Sequence, residues 1–148
     1  MICNGQNLLN VAPFKNMQTE KKRYNGVSYG LSEAGYDIRI AETVTLHAFK
    51  RFSLSFAVEE FTVPNNLVGV VHDKSTWARK KLSVFNTVIE PGWCGFLTLE
   101  LGYYGWLPLT IKEGSGVAQV LFSEISEPAE YTGKYQNAGA FAQGAISS

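Results

Sequence analysis

The chain has 148 residues, of which 45% are hydrophobic, and a formal net charge of zero from 13 basic and 13 acidic side chains. This length suits one domain, spanning 1–148, that buries roughly two thirds of its unfolded surface and needs no disulfide staples. The balanced charge argues against a nucleic-acid polymer as a partner. Because no segment approaches the about 18 apolar residues of a membrane span and the chain begins with no signal peptide, we expect a soluble, cytoplasmic protein.

The predicted elements are mostly short strands. The N-terminal stretch to about residue 32 is polar and predicts a solvated loop. Segments rich in β-branched and aromatic residues follow, separated by Gly, Pro and Asn turn signals, at 36–40, 43–47, 52–58, 67–71, 82–88, 96–101, 107–111 and 117–122. Short strands at this spacing predict an all-β sandwich, jelly roll or small barrel. The tail at 131–148 is rich in Gly, Ala and Ser and predicts a mobile arm able to close over a ligand.

The segment from Lys74 to Lys80 carries a pattern typical of a phosphate site. Lys74, Ser75 and Thr76 precede a predicted short helix that would begin after a hydroxyl N-cap. Free N–H groups at such a start, together with these side chains and Arg79, suit a phosphate. The alternative is an ordinary capped helix on the protein surface.

Glu100 is an isolated carboxylate in the run at 96–101. The strand period of this run places its leucines on one face and Phe96, Thr98 and Glu100 on the other. A polar residue opposite leucines is more often exposed to solvent than functional. The period alone therefore leaves the role of Glu100 open.

Six motifs follow one another in a characteristic order. They are AGYDIR at 34–39, KSTWAR at 74–79, IEPGW at 89–93, TLEL at 98–101, GVAQVLF at 116–122 and YTGKYQ at 131–136. Together they resemble the trimeric dUTPase and dCTP deaminase superfamily. The resemblance implies a distorted jelly roll of the dUTPase-like β-clip type, assembled as a homotrimer with active sites between subunits.

The TLEL motif is similar to that of the dCTP deaminase branch, whereas dUTPases usually have an apolar residue at the position of Glu100. The resemblance implies that Glu100 is the general acid/base, and one carboxylate can both activate water and protonate the departing amine. The zinc route to base deamination needs a His or Cys ligand near a Glu and a P-C-x-x-C element, which this sequence lacks. The resemblance likewise implies a zinc-independent enzyme, with Mg²⁺ bound only through the nucleotide triphosphate.

The resemblance also implies the residues that bind the substrate. Ser75 corresponds to the family serine whose contacts reach both the triphosphate and the catalytic site. Trp93 would pack beside the deoxyribose, and Glu90, where the family usually has Asp, would meet its 3′-hydroxyl. Triphosphate contacts are implied for Lys74, which stands where Arg is usual, and for Thr76, Arg79, Gln119, Tyr131 and Lys134.

The segment at 85–88 is shorter than its counterpart in well-known deaminases, so Val88 and Thr87 are candidates for contacting the base without a one-to-one match. The extra methylene of Glu90 matters for in-line attack on a phosphate, which makes dUTP cleavage less secure than deamination. The expected function is deamination of dCTP to dUTP and ammonia. Continued cleavage to dUMP and diphosphate, a dUTP diphosphatase without deaminase activity, and a catalytically silent nucleotide-binding jelly roll are the alternatives left open.

Overall fold

The computed structural model describes residues 1–147, which form twelve strands and two short helices. The final residue of the predicted arm at 131–148 lies outside this range. In chain order the elements are β1 (Ile2–Cys3), α1 (Gly5–Val11), β2 (Lys21–Tyr24), β3 (Val27–Leu31), β4 (Tyr36–Arg39), β5 (Val44–Leu46), β6 (Phe52–Thr62), β7 (Leu67–Asp73), α2 (Ser75–Ala78), β8 (Leu82–Val84), β9 (Val88–Ile89), β10 (Cys94–Tyr103), β11 (Leu109–Ile111) and β12 (Gly116–Glu124). The prediction of an all-β fold is confirmed.

Three sheets enclose the core. The largest has the strand order β2-β3-β4-β12-β7-β9, with β1 paired to β12; the second has the order β6-β10-β8, and β11 pairs with β5. The strands of β6 and β10 are antiparallel, with a register irregularity between Phe96 and Thr98. Near this point Ala57 of β6 forms a bridge with Ile40 just after β4, which connects the second sheet to the first.

Aromatic and aliphatic side chains from both large sheets meet in the core. Phe14, which precedes β2, lies against Tyr36, Phe61 and Phe122 at ring-centroid distances of 4.6, 4.5 and 5.5 Å. All four are buried. Each large apolar side chain removed from water in this way contributes about 1.5–3 kcal/mol to folding, so this cluster fixes how the sheets face each other.

Several local predictions were wrong at their boundaries or in kind. The N-terminal stretch predicted as a loop contains α1, β2 and β3. The prediction missed β2 because this strand pairs only with β3 and all four of its residues are exposed, so it shows no alternation of apolar and polar residues. The predicted strand at 82–88 is divided into β8 and β9. The helix α2 begins at Ser75, two residues before the predicted start, and its N-cap is Lys74 rather than a hydroxyl residue, with no side-chain capping bond.

Among residues 1–147, neither helix is long and apolar enough to cross a membrane.

Candidate active site

A cavity of about 560 Å³ lies between β10, the 86–90 segment and the C-terminal tail. Its lining includes Val88, Glu90, Trp93, Glu100 and Tyr131. The structure therefore brings together residues that the sequence singled out in three separate motifs and in the 85–88 segment. The remaining lining is mainly apolar and aromatic, which is typical of small-molecule sites with a few polar groups.

Glu100 is directed into this cavity by the alternation of β10. Its neighbours Leu99 and Leu101 are fully buried in the core, whereas Glu100 is partly exposed and lines the cavity. Successive side chains of a strand point to opposite faces, so burial of the two leucines determines the direction of the carboxylate. The strand is held from the other side by β6, where Leu54 is the partner of Glu100.

Asn86 fixes the backbone on both sides of Leu99. Its Nδ2 donates to the Thr98 carbonyl at 2.7 Å, and its Oδ1 accepts from the Glu100 N–H at 3.1 Å. Asn86 also lines the cavity beside Glu100. No role was predicted for this residue, because it lies between the quoted motifs.

A tight turn presents Glu90 and Trp93. The Trp93 N–H donates to the Glu90 carbonyl at 3.1 Å, and Gly92 within the turn has φ +76°, which favours glycine. Glu90 is exposed at the cavity, while Trp93 is largely buried with its ring 5.4 Å from that of Phe61. Trp93 therefore belongs to both the core and the cavity, so packing and ligand contact are compatible at this position.

The C-terminal tail packs against this same turn within the chain. Backbone hydrogen bonds join Tyr131 N to Pro91 O at 2.8 Å, Asn137 N to Cys94 O at 2.9 Å and Phe96 N to Ala138 O at 3.0 Å. Farther along, Gln143 N donates to Thr98 Oγ1 at 2.9 Å. These contacts make the tail part of the cavity wall.

Side chains strengthen this attachment of the tail. Trp93 Nε1 donates to the Tyr135 carbonyl at 2.7 Å, and Gln136 Oε1 accepts from Cys94 N at 2.7 Å. The amide nitrogen of Gln136 also donates to Gly92 O at 3.0 Å. Tyr135 and Gln143 line the cavity, and neither was singled out by sequence reasoning because the tail has no strand or helix period.

The predicted phosphate-binding residues form a second group outside this cavity. Lys74 Nζ lies 2.6 Å from Asp37 Oδ2 and donates to Ser28 Oγ at 3.0 Å, in a largely buried ion pair. The neighbouring residues Ser75, Thr76 and Arg79 are exposed. Lys74 is thus held by the protein, while the three exposed residues are available to a ligand or another chain.

Two further predicted residues are also held by contacts within the chain. Gln119 Nε2 donates to Ser32 Oγ at 2.7 Å. Lys134 Nζ donates to the Ile146 carbonyl and lies 5.5 Å from the centroid of the Tyr135 ring. Neither residue lines the cavity, so Tyr131 is the one predicted triphosphate contact that lies beside Glu100 among the described residues of a single chain.

Within residues 1–147, no group of three or more His, Cys, Asp or Glu side chains is arranged to hold a metal ion. Asp37 Oδ1 is buried without a hydrogen-bond partner among the described atoms, but its other oxygen is paired with Lys74.

Burial changes the proton affinity of one acid beside the sheet junction. Glu59 is almost fully buried, and its burial raises the pKa of the carboxyl above its usual range despite hydrogen bonds from Arg39 N and Nε. Glu59 does not line the cavity, so this shift bears on folding rather than on the site.

Comparison with known proteins places these features in a family. The dCTP deaminase-like family model matches residues 37–125. The dCTP deaminase of Roseiflexus castenholzii is 36% identical over 151 residues, with 80% of this chain and 82% of that protein covered. The dCTP deaminase of Chlamydia caviae is 33% identical over 162 residues, with 85% of each covered.

Solved structures share the fold at lower identity. The dUTPase of EIAV has a TM-score of 0.57 and 19% identity, with 78% of this chain and 92% of that chain covered. The dUTPase of the S. aureus phage phi11, described with a structural Mg(II) ion, has a TM-score of 0.58 and 20% identity over 81% of this chain and 92% of its own. These similarities confirm the dUTPase-like jelly-roll fold, and the family model and the relatives together establish that the chain belongs to the dCTP deaminase-like family.

Proposed function

We propose that this protein is a dCTP deaminase that hydrolyses the 4-amino group of dCTP to give dUTP and ammonia. The observation that carries the proposal is the position of Glu100, directed into a largely apolar cavity by two fully buried leucines. Relatives that are 33–36% identical over most of the chain are dCTP deaminases, which supports the same chemistry here.

Glu100 would perform the proton transfers in this reaction. The carboxylate takes a proton from a water molecule as the water oxygen forms a bond to C4 of the base. It then gives that proton to the amino nitrogen, and the C4–N bond breaks to release ammonia. The remaining proton of the attacking water moves from the new C4 hydroxyl to N3, which leaves the C4 carbonyl of dUTP. A single carboxylate in contact with both positions is sufficient for this sequence of steps.

The other cavity residues would orient the nucleoside. Glu90 would accept a hydrogen bond from the 3′-hydroxyl, and Trp93 would pack beside the deoxyribose. Val88 lies at the exposed edge of the cavity, where its backbone groups could meet the pyrimidine. Such fixed contacts favour reaction by holding C4 near Glu100 rather than by changing the chemistry.

We further propose that the functional assembly is a homotrimer whose sites lie between subunits. Ser75, Thr76 and Arg79 are exposed and lie outside the cavity of their own chain. A neighbouring copy could bring them to the substrate, where they would meet the triphosphate and Ser75 would also approach the reacting base. Lys74 would act chiefly by orienting this segment, because its ammonium group is already paired with Asp37.

The arm that includes Tyr131 and Lys134 would cover the triphosphate, and Gln119 would lie near the phosphates. Mg²⁺ would enter as the companion of the triphosphate and neutralise part of its charge, while proton transfer would need no zinc.

Cleavage of dUTP to dUMP and diphosphate is a second candidate function, because Glu90 supplies a carboxylate at the turn and the fold is shared with dUTPases.

Product analysis tests these functions directly. The purified protein is incubated with dCTP or dUTP and Mg²⁺, and ammonia, dUTP, dUMP and diphosphate are measured. We expect ammonia and dUTP in equal amounts from dCTP. Diphosphate from dUTP without ammonia from dCTP would refute the deaminase proposal and support a dUTP diphosphatase, whereas nucleotide binding without either product would support a silent binding protein.

A further inference from the structure

The edge of β10 loses its strand partner next to Glu100. β8 pairs with β10 from Leu101 to Tyr103, and one more bond follows, from Phe85 N to the Glu100 carbonyl at 2.9 Å. Beyond Phe85, the described part of the 86–88 segment makes no further backbone hydrogen bond to β10, and its next bonds to β10 come from the Asn86 side chain. The Glu100 N–H and the Thr98 carbonyl are the next groups along the same edge.

The Asn86 side chain occupies the place of the missing strand. Backbone groups of residues two apart point to the same side of a strand, so one planar amide can meet the Thr98 carbonyl and the Glu100 N–H together. Asn86 does so at 2.7 and 3.1 Å. A side-chain amide presents a donor beside an acceptor, and it therefore imitates the N–H and C=O of one residue on a neighbouring strand.

Only an uncharged side chain suits this position without altering the electrostatics of the cavity. The titratable groups that line the cavity with Glu100 are Glu90, Tyr131 and Tyr135. An aspartate in place of Asn86 could accept from the Glu100 N–H, but while ionised it could not donate to the Thr98 carbonyl and would add another negative charge. Asparagine provides both hydrogen bonds and no charge.

We propose that Asn86 is the positioning residue for Glu100, because its amide takes the place of strand pairing where the pairing of β8 with β10 has ended. This inference rests on the proposed deaminase function. Asn86 does not transfer protons itself; it holds the backbone from which the Glu100 carboxylate projects, so that the carboxylate reaches both the water and the departing amine.

The test uses Asn86→Ala and Asn86→Asp in the full-length protein with dCTP and Mg²⁺. Asn10→Ala serves as the matched control, because Asn10 is exposed on α1 and bonded only to the side chain of Gln6. We expect kcat of Asn86→Ala to fall on the order of 10- to 100-fold, since small displacements of reacting groups have effects of this size. KM for dCTP should change much less, and Asn10→Ala should retain the wild-type kcat.

The aspartate variant distinguishes positioning from a general effect on folding. A protonated carboxyl group has the same donor and acceptor pair as an amide. The ratio of kcat in Asn86→Asp to kcat in the wild type should therefore rise as the pH falls from about 8 towards 5, in the range where a carboxyl group begins to protonate. This rise is expected whether or not the alanine variant folds.

Two results would overturn the inference while leaving the proposed function intact: a wild-type kcat in folded Asn86→Ala, or a ratio for Asn86→Asp that does not change with pH. Absence of ammonia from the wild-type protein would instead refute the deaminase function itself and remove the basis for the role of Asn86.

Discussion

Replacing Gly95 with alanine should detach the C-terminal tail from the cavity. Gly95 has φ +137°, and an added Cβ would lie 2.6 Å from Ala138 N and 2.9 Å from Ala138 O. Both of these are backbone atoms of the tail, so a side-chain rotation cannot relieve the overlap. The tail must move away, or the strand must change its conformation.

The expected energy follows from the contacts at this point. The added Cβ would push Ala138 away from β10, so the attached tail would lose the bonds from Asn137 N to Cys94 O and from Phe96 N to Ala138 O, each worth about 1 kcal/mol net. Placing a side chain at this φ adds about 1 kcal/mol of strain when the tail remains bound. A total of about 3 kcal/mol corresponds to a rise on the order of 100-fold in the detached fraction.

Limited trypsin digestion measures this detachment, because Lys134 lies in the tail and is held by Ile146. We expect much faster cleavage after Lys134 in Gly95→Ala and a higher KM for dCTP. Gly144→Ala is the matched control, since a Cβ there meets no atom within 4 Å and the tail should stay protected. Equal cleavage rates for Gly95→Ala and the wild type would refute the reasoning.

Three further predictions concern stability and can be checked by denaturant unfolding. Leu99→Ala should lower the free energy of unfolding by about 2–5 kcal/mol, because Leu99 is fully buried. Leu107→Ala, at a residue 79% exposed, should change it by no more than about 0.5 kcal/mol. Similar losses in the two variants would contradict the core assignment. Asp37→Ala should lower the free energy of unfolding by about 3–5 kcal/mol, because the Lys74 ammonium loses its partner. The double variant Asp37→Ala/Lys74→Ala should lose less stability than the sum of the losses of its two single variants. Strict additivity would show that the pair is not coupled. Burial raises the pKa of Glu59, so the folded protein binds the proton of this carboxyl group more tightly than the unfolded chain does. The stability that this group contributes is therefore present at low pH and declines as the pH rises from the ordinary carboxyl range towards the raised pKa. Glu59→Gln should remove this decline, and an unchanged pH slope in the variant would contradict the assignment.

The strand pattern predicted much of the fold because buried and exposed residues alternate along the central strands. Leu99 and Leu101 point into the core and Glu100 points away from it, as the period indicated. Leu97 does not follow the simple alternation: it lines the cavity as well as packing on the core. The register irregularity between Phe96 and Thr98 changes the pairing there, and a bulge of this kind has no clear signal in the sequence.

The candidate site was less predictable where contacts come from loops and side-chain amides. Asn86 acts through two backbone groups of a distant strand, and Gln136 joins the tail to the turn in the same manner. Neither interaction produces a period in the sequence, since each depends on tertiary proximity. Lys74 was predicted from its motif as a phosphate ligand, but only the structure shows its buried pairing with Asp37, so its phosphate contact stays a prediction.

The most direct test of the proposed chemistry is ammonia release from dCTP by Glu100→Gln, compared with the wild type and with Glu127→Gln, a change at an exposed glutamate. Glutamine keeps the size of the side chain but cannot accept and return the proton. We expect the wild type and Glu127→Gln to release ammonia and dUTP in equal amounts, and Glu100→Gln to bind dCTP while releasing almost none. Ammonia release by Glu100→Gln at the wild-type rate would contradict the assignment of Glu100 as the general acid/base.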